Sequence, residues 1–281
     1  MKSATQFWKM HGCANDYVLI DARKAAPKDP STLALAMCHR RTGVGADGVL
    51  LVCASKVADF RMRMFNPDGS EAEMCGNGIR CFAKWVYDHK LTKQKTLVVE
   101  TLRGPLPLEL TVMGGKCQRV RVDMGTPTLL RRDIPILGPP RERVIDEPLK
   151  VGGKDYRVTC MAMGNPHCVI WVNGVETYPV ATEGPVIERH PMFPNRTNVQ
   201  FVEVIGRTEV RQRSWERGAG ETWACGTGAS AVCVAGVLTG KTDRKVRVHV
   251  LGGELAIEWA KEDHVFLSGP AEEVFEGSWG G

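Results

Sequence analysis

The sequence predicts an α/β (α+β) protein made of two similar domains, each a mostly antiparallel, barrel-like sheet wrapped around a central helix, and three observations predict it. The chain repeats itself: moved by 150 residues, "DFRMRMFNPDGSEAEMCGNG" (Asp59–Gly78) lies over "EVRQRSWERGAGETWACGTG" (Glu209–Gly228), and Cys75 falls on Cys225. Within these stretches "FRMRMF" and "VRQRSW" alternate with period two, as strands with one solvated face do. After each cysteine a Gly-x-Gly leads into a helical run, and the second, "GASAVCVAGVLTGK", is apolar nearly all round and therefore enclosed.

The same offset lays "NDYVLI" (Asn15–Ile20) over "NPHCVI" (Asn165–Ile170) and "GVLLV" (Gly48–Val52) over "NVQFV" (Asn198–Val202). Each half then reads as a strand opening on an Asn, a helix, a second strand, the alternating third strand, a loop, the cysteine and its helix. "KTLVVETLRGPLPLEL" and "KVRVHVLGGELAIEW" add further strands. The Pro-rich, charged stretch from Thr126 to Asp155 reads as a linker and surface excursion. The first domain is therefore expected over 1–126 and the second over 127–269. "GVGADG" (Gly43–Gly48) satisfies GxGxxG, but a helix precedes it and a strand follows, the reverse of a dinucleotide site.

Composition narrows the function classes. A chain of 281 residues can bury a sizeable core, and its net charge of +5 is spread over short mixed-sign runs, so nucleic acid is not an expected partner. The longest nearly apolar run, Ala229–Leu238, is about half of the ~20 residues a membrane span needs. The N-terminal stretch "MKSATQFWKMHG" has no apolar h-region, so a cytoplasmic protein without membrane contact is expected. None of the ten cysteines forms a CxxC pair, and most are expected to be small core residues.

Cys75 and Cys225 are the exceptions. A helix N-terminus presents unpaired N–H groups and a positive dipole end, so a thiolate there is expected to be favoured below the free pKa of ~8.5. The same N–H groups bind a carboxylate, and glycines let the backbone approach it. Duplicated domains packed about a pseudo-twofold axis would set the two thiols on opposite faces of a ligand. That arrangement suits inversion at a carbon acid: one thiolate removes the α-proton while the other thiol delivers a proton from the opposite side.

With "MHGCANDYVLID", "RRTGVGADGV", "FNPDGSEAEMCGNGIRC", "MGNPHCVI" and "ERGAGETWACGTGAS" in view, the chain resembles the diaminopimelate epimerases over nearly its whole length. The resemblance implies interconversion of LL- and meso-diaminopimelate by Cys75 and Cys225, in lysine and peptidoglycan precursor synthesis, with no cofactor: neither pyridoxal phosphate nor a metal. It implies substrate contacts from Asn15, Asn66, Asn165, Asn198, Glu216 and Arg217 and from the pairs Gly76-Asn77 and Gly226-Thr227. His167 and Glu216 are implied to tune the cysteine acidities. It further implies a homodimer and a C-terminal segment, 270–281, that completes the first domain. Gly48 departs from the pattern, since many members carry Gln there and one substrate contact is thereby in question. Racemases of the proline or hydroxyproline type share the two-thiol chemistry, but they show His in place of Asn77 and lack the "ERGAGET" lead-in.

Overall fold

The computed structural model describes residues 4–280. Met1–Ser3, part of the stretch read for a leader, and Gly281, the end of the segment assigned to the first domain, lie outside the described residues. The chain divides into two compact units, one running up to Val122 and resuming at Gly269, the other Asp123–Ser268.

The first unit contains β1 (Thr5–Gly12), β2 (Asn15–Asp21), α1 (Pro30–Cys38), β3 (Gly48–Cys53), β4 (Phe60–Phe65), β5 (Glu71–Ala72), α2 (Gly76–Asp88), β6 (Thr96–Thr101), β7 (Gly104–Met113) and β8 (Lys116–Asp123). The second contains β9 (Val144–Val151), β10 (Lys154–Ala162), β11 (Pro166–Trp171), α3 (Val180–Glu188), β12 (Asn198–Gly206), β13 (Glu209–Glu216), β14 (Gly220–Thr222), α4 (Gly226–Leu238), β15 (Lys245–Val250), β16 (Gly253–Trp259) and β17 (Val265–Gly269). From β1 and β10 onward, paired elements start within one residue of the 150-residue offset. The duplication therefore extends through the whole of both units.

Strand pairing repeats as well. The pairs β2/β3 and β4/β6 are parallel, as are β11/β12 and β13/β15, while the remaining hairpins are antiparallel. β18 (Glu272–Trp279) pairs antiparallel with β1, in the place that β9 takes beside β10. Each sheet curls around its second helix without closing. α2 packs against β1, β2, β3, β4, β7 and β18, and α4 against β10, β11, β12, β15 and β16. The other helix covers the outer face, α1 over Val18, Val49, Leu51 and Phe65, and α3 over Val199 and Phe201. A strand covered on both faces must be apolar throughout, which accounts for the unbroken "VLLV" of β3.

The structure corrects the linker reading. All of Thr126–Asp155 belongs to the second unit: Val144–Val151 is a strand, and Ile134, Ile136, Val144, Leu149 and Val151 are buried in that unit's core. Pro148 and the surrounding charges hid the strand, because β9 meets β10 along one side, where a residue without an N–H is tolerated. The strands β1 and β10 likewise carry no clear signal in the sequence. The β1–β2 hairpin turns on Cys13 and Ala14, at φ 55° and 62°, which is left-handed backbone without the usual Asn-Gly signature.

Candidate active site

The two duplicated loops place Cys75 and Cys225 at the N-caps of α2 and α4, both in extended backbone conformation. The glycine three positions on explains the Gly-x-Gly spacing. A Cβ at Gly78 would stand 3.1 Å from Leu50 Cδ2, and one at Gly228 would stand 2.7 Å from the Gln200 amide carbon. Each helix start is thus pressed onto a strand of its own unit, α2 onto β3 and α4 onto β12, with room at Gly228 for glycine alone and at Gly78 for little more.

In the first unit, the Gly78 N–H donates to Cys75 Sγ at 3.5 Å. Tyr17 Oη lies 2.9 Å from the same sulfur and also donates to Asn15 Oδ1. Asn77 Nδ2 donates to Asn15 Oδ1 at 3.0 Å, and the wholly buried Arg80 donates to Asn77 Oδ1 at 2.9 Å and to the Gly76 carbonyl at 2.8 Å. Asn15 Nδ2 in turn donates to the Asp47 carboxylate. Cys75, Gly76, Asn77 and Asn15 are therefore brought together. Asn66 stands apart in the turn after β4, where its N–H bonds the Ser70 carbonyl and its amide bonds the Ser70 hydroxyl. Gly48 pairs with Tyr17 across β2/β3, and a Cβ there would stand 2.9 Å from the Phe65 carbonyl, so this backbone accepts no larger residue without movement of β4.

In the second unit, the Cys225 thiol donates to Glu216 Oε2 at 3.3 Å and lies 3.5 Å from Thr227 Oγ1. Thr222 donates to the other oxygen of Glu216. The expected depressed thiol is reversed here: burial first, and then the Glu216 carboxylate, push Cys225 well above the ordinary cysteine value. Cys225 is 3% exposed, so the helix dipole does not offset its loss of water. Asn198 Oδ1 accepts from the Arg217 N–H at 2.9 Å, its Nδ2 donates to the Pro166 carbonyl at 2.7 Å, and the Arg217 guanidinium reaches the Asn195 carbonyl. His167 lies 3.0 Å from Asn165 Oδ1 and 3.2 Å from Gln200 Nε2. Complete burial, helped by the Arg217 charge, lowers its pKa to about 3, so it is a neutral imidazole. Gln200, Gln212 and Ser214 continue the network beneath the helix start.

The duplication exposes what the sequence reading missed. Tyr17 occupies the position of His167, and each makes a polar contact with the Asn two residues before it. The 150-residue offset that relates the two halves carries the signal for Tyr17, since it falls on His167. Around them the two floors differ: Leu50, Met62 and Met64 in the first unit stand where Gln200, Gln212 and Ser214 stand in the second. Arg80 escaped notice because it sits in the buried face of α2. Among the described residues, no cluster of three or more His, Cys, Asp or Glu could hold a metal ion, and no helix is long and apolar enough to cross a membrane.

Solved structures of other proteins share this two-unit α/β architecture. A Bacillus anthracis phenazine biosynthesis protein of the PhzF family aligns with TM-score 0.72 at 17% identity over 99% of each chain. A hydroxyproline epimerase from Agrobacterium vitis aligns with TM-score 0.71 at 14% identity over 99% of this chain and 91% of its own. At such identities the likeness concerns the fold alone. Sequence comparison is more specific: the diaminopimelate epimerase family model matches residues 7–130 and 159–274. Diaminopimelate epimerases of Moorella thermoacetica and Pelotomaculum thermopropionicum are 55% and 54% identical over 275 residues, 97% of this chain and 98% of each relative. The chain belongs to the diaminopimelate epimerase family, whose members are isomerases.

Proposed function

We propose that the protein interconverts LL- and meso-2,6-diaminopimelate without pyridoxal phosphate or metal, using Cys75 and Cys225 as a thiolate/thiol pair. The observation that carries this reading is the pair of duplicated N-cap cysteines, each with a polar side chain of its own unit within hydrogen-bond reach. The thiolate withdraws the α-proton; the second thiol supplies a proton to the opposite face, and the roles exchange in the reverse direction. Backbone N–H groups of Gly76-Asn77 and Gly226-Thr227 stabilise the charge that develops on the reacting carboxylate.

In this reading the raised Cys225 carries the proton in the resting enzyme, held on Glu216, and the family resemblance gives the neutral His167, bonded to Asn165 and Gln200, a part in tuning cysteine acidity. Arg217 pairs with the distal carboxylate and Glu216 with the distal ammonium, with Asn15, Asn66, Asn165 and Asn198 donating and accepting as needed. Gly48 offers no side-chain contact, so whatever Gln supplies in other members comes here from another group. The same resemblance supports two epimerase domains, a cytoplasmic homodimer, and a role in lysine and peptidoglycan precursor synthesis.

Proton NMR in D2O tests the reaction. The reduced protein is expected to exchange the α-proton of LL-diaminopimelate and produce the meso isomer, with no exchange of L-proline or 4-hydroxyproline. Cys75→Ala and Cys225→Ala are each expected to lower epimerisation by at least about 100-fold, the lower end of what one positioned acid or base contributes. Exchange confined to the proline-type substrates would move the specificity and keep the mechanism; retained epimerisation in either alanine variant would overturn the two-thiol reading.

A further inference from the structure

We propose that Tyr17 is the positioning residue that holds Cys75 through both of its protonation states, by turning one hydroxyl hydrogen between Asn15 and the sulfur; this rests on the two-thiol reading above. A phenol has one hydrogen and two acceptor lone pairs. Its oxygen here has two neighbours, Cys75 Sγ at 2.9 Å and Asn15 Oδ1. With Cys75 as a thiol, S–H donates to Oη and Oη–H donates to Asn15 Oδ1. With Cys75 as a thiolate, Oη–H turns to the sulfur, and Asn15 Oδ1 keeps its second donor, Asn77 Nδ2 at 3.0 Å. No proton leaves the phenol, and both states are fully hydrogen-bonded.

The rest of the first unit favours this rotor. Arg80 holds the Asn77 amide oxygen and Asp47 holds the Asn15 amide nitrogen, so both amides are oriented and Asn15 presents its oxygen to Tyr17. Tyr17 is 1% exposed, and the register that sets it opposite Gly48 leaves its ring 3.5 Å from where a Cβ at Gly48 would lie. Burial, and the neighbouring Cys75, raise the phenol well above its ordinary pKa, so it remains a donor. The other titratable or charged groups around the pair are Asp47, which lies before β3 and accepts from Arg40; Arg80 and Cys81, both from α2; and Cys13, from the hairpin turn. In the second unit the corresponding sulfur has a carboxylate as neighbour instead, which favours the thiol. Cys75 thus has a neutral hydroxyl as its neighbour where Cys225 has a carboxylate.

The test is the pH dependence of Cys75 alkylation by iodoacetamide in the intact, reduced protein, followed by peptide mass spectrometry. Tyr17→Phe keeps the ring and loses the donor, so the alkylation midpoint is expected to rise by about one pH unit, an approximately ten-fold fall in thiolate fraction at pH 7. A fluorinated tyrosine at position 17, a stronger donor of nearly the same shape, is expected to lower the midpoint. It also keeps the test open if Tyr17→Phe folds poorly. The acid limb of the kcat profile, in the direction that uses Cys75 as base, is expected to move with the midpoint. Unmoved midpoints in both proteins would overturn the role of Tyr17, whatever their activity. Epimerisation surviving Cys75→Ala would instead overturn the two-thiol reading, and leave the alkylation result to speak for the hydrogen bond alone.

Discussion

At His167 a single side chain couples folding to acidity. It is wholly buried and neutral, with its pKa lowered from the ordinary 6.5 to about 3, and its ring nitrogens are engaged by Asn165 and Gln200. Below pH 6.5 the unfolded chain binds a proton that the folded chain refuses, so stability falls as pH falls, by about 1.4 kcal/mol per unit until the folded value is reached. Urea unfolding between pH 7 and pH 5 is expected to show this slope, and His167→Gln is expected to remove that share of it. His167 came into view only through the family resemblance, whereas Cys75, Cys225 and the Gly-x-Gly turns were legible from the repeat itself. What was not legible was electrostatic. The helix dipole alone pointed to a favoured thiolate, but burial and Glu216 act the other way at Cys225, and neither can be seen until the chain is folded.

At the scale of elements, the start of α4 is packed more tightly than the start of α2. Gly228→Ala would place a methyl about where Gln200 stands, in a buried network that also holds Gln212 and Ser214, so repacking breaks hydrogen bonds as well as displacing atoms. A loss of about 1–3 kcal/mol is expected from chemical denaturation, with a smaller loss for Gly78→Ala, where the neighbour is the end of a leucine. The helices and the strands β2, β3, β4 and β6 were readable because periodicity and the repeat reinforced each other. β1, β9 and β10 were not: a left-handed turn built from Cys13-Ala14 carries no Asn-Gly signal, and Pro148 masks the alternation of β9. Tyr17 is the opposite case: the repeat marks its position, while a phenol aligned with an imidazole gives no sign of a shared role.

For the whole molecule, the thiols that were read as core residues set an alkaline limit. Burial pushes Cys81 and Cys233 up to about 12. These groups stay protonated in the folded chain while they ionise in the unfolded one above pH ~8.5, so stability is full below that pH and declines above it. Each contributes a slope of about 1.4 kcal/mol per pH unit. Under reducing conditions, urea midpoints are expected to fall from pH 8 to pH 10, and Cys81→Ala with Cys233→Ala to flatten the fall.

The position of β18 has a consequence for biosynthesis. The strand that lies beside β1 is encoded after all of the second unit. As the chain leaves the ribosome, the second unit has its complete set of strands while the first, begun earlier, still lacks one. Until β18 emerges, β1 presents a row of unpaired N–H and C=O groups, the kind of open edge on which nascent chains pair wrongly. The half translated first is therefore the half finished last, and its need for protection during translation extends over the synthesis of the other.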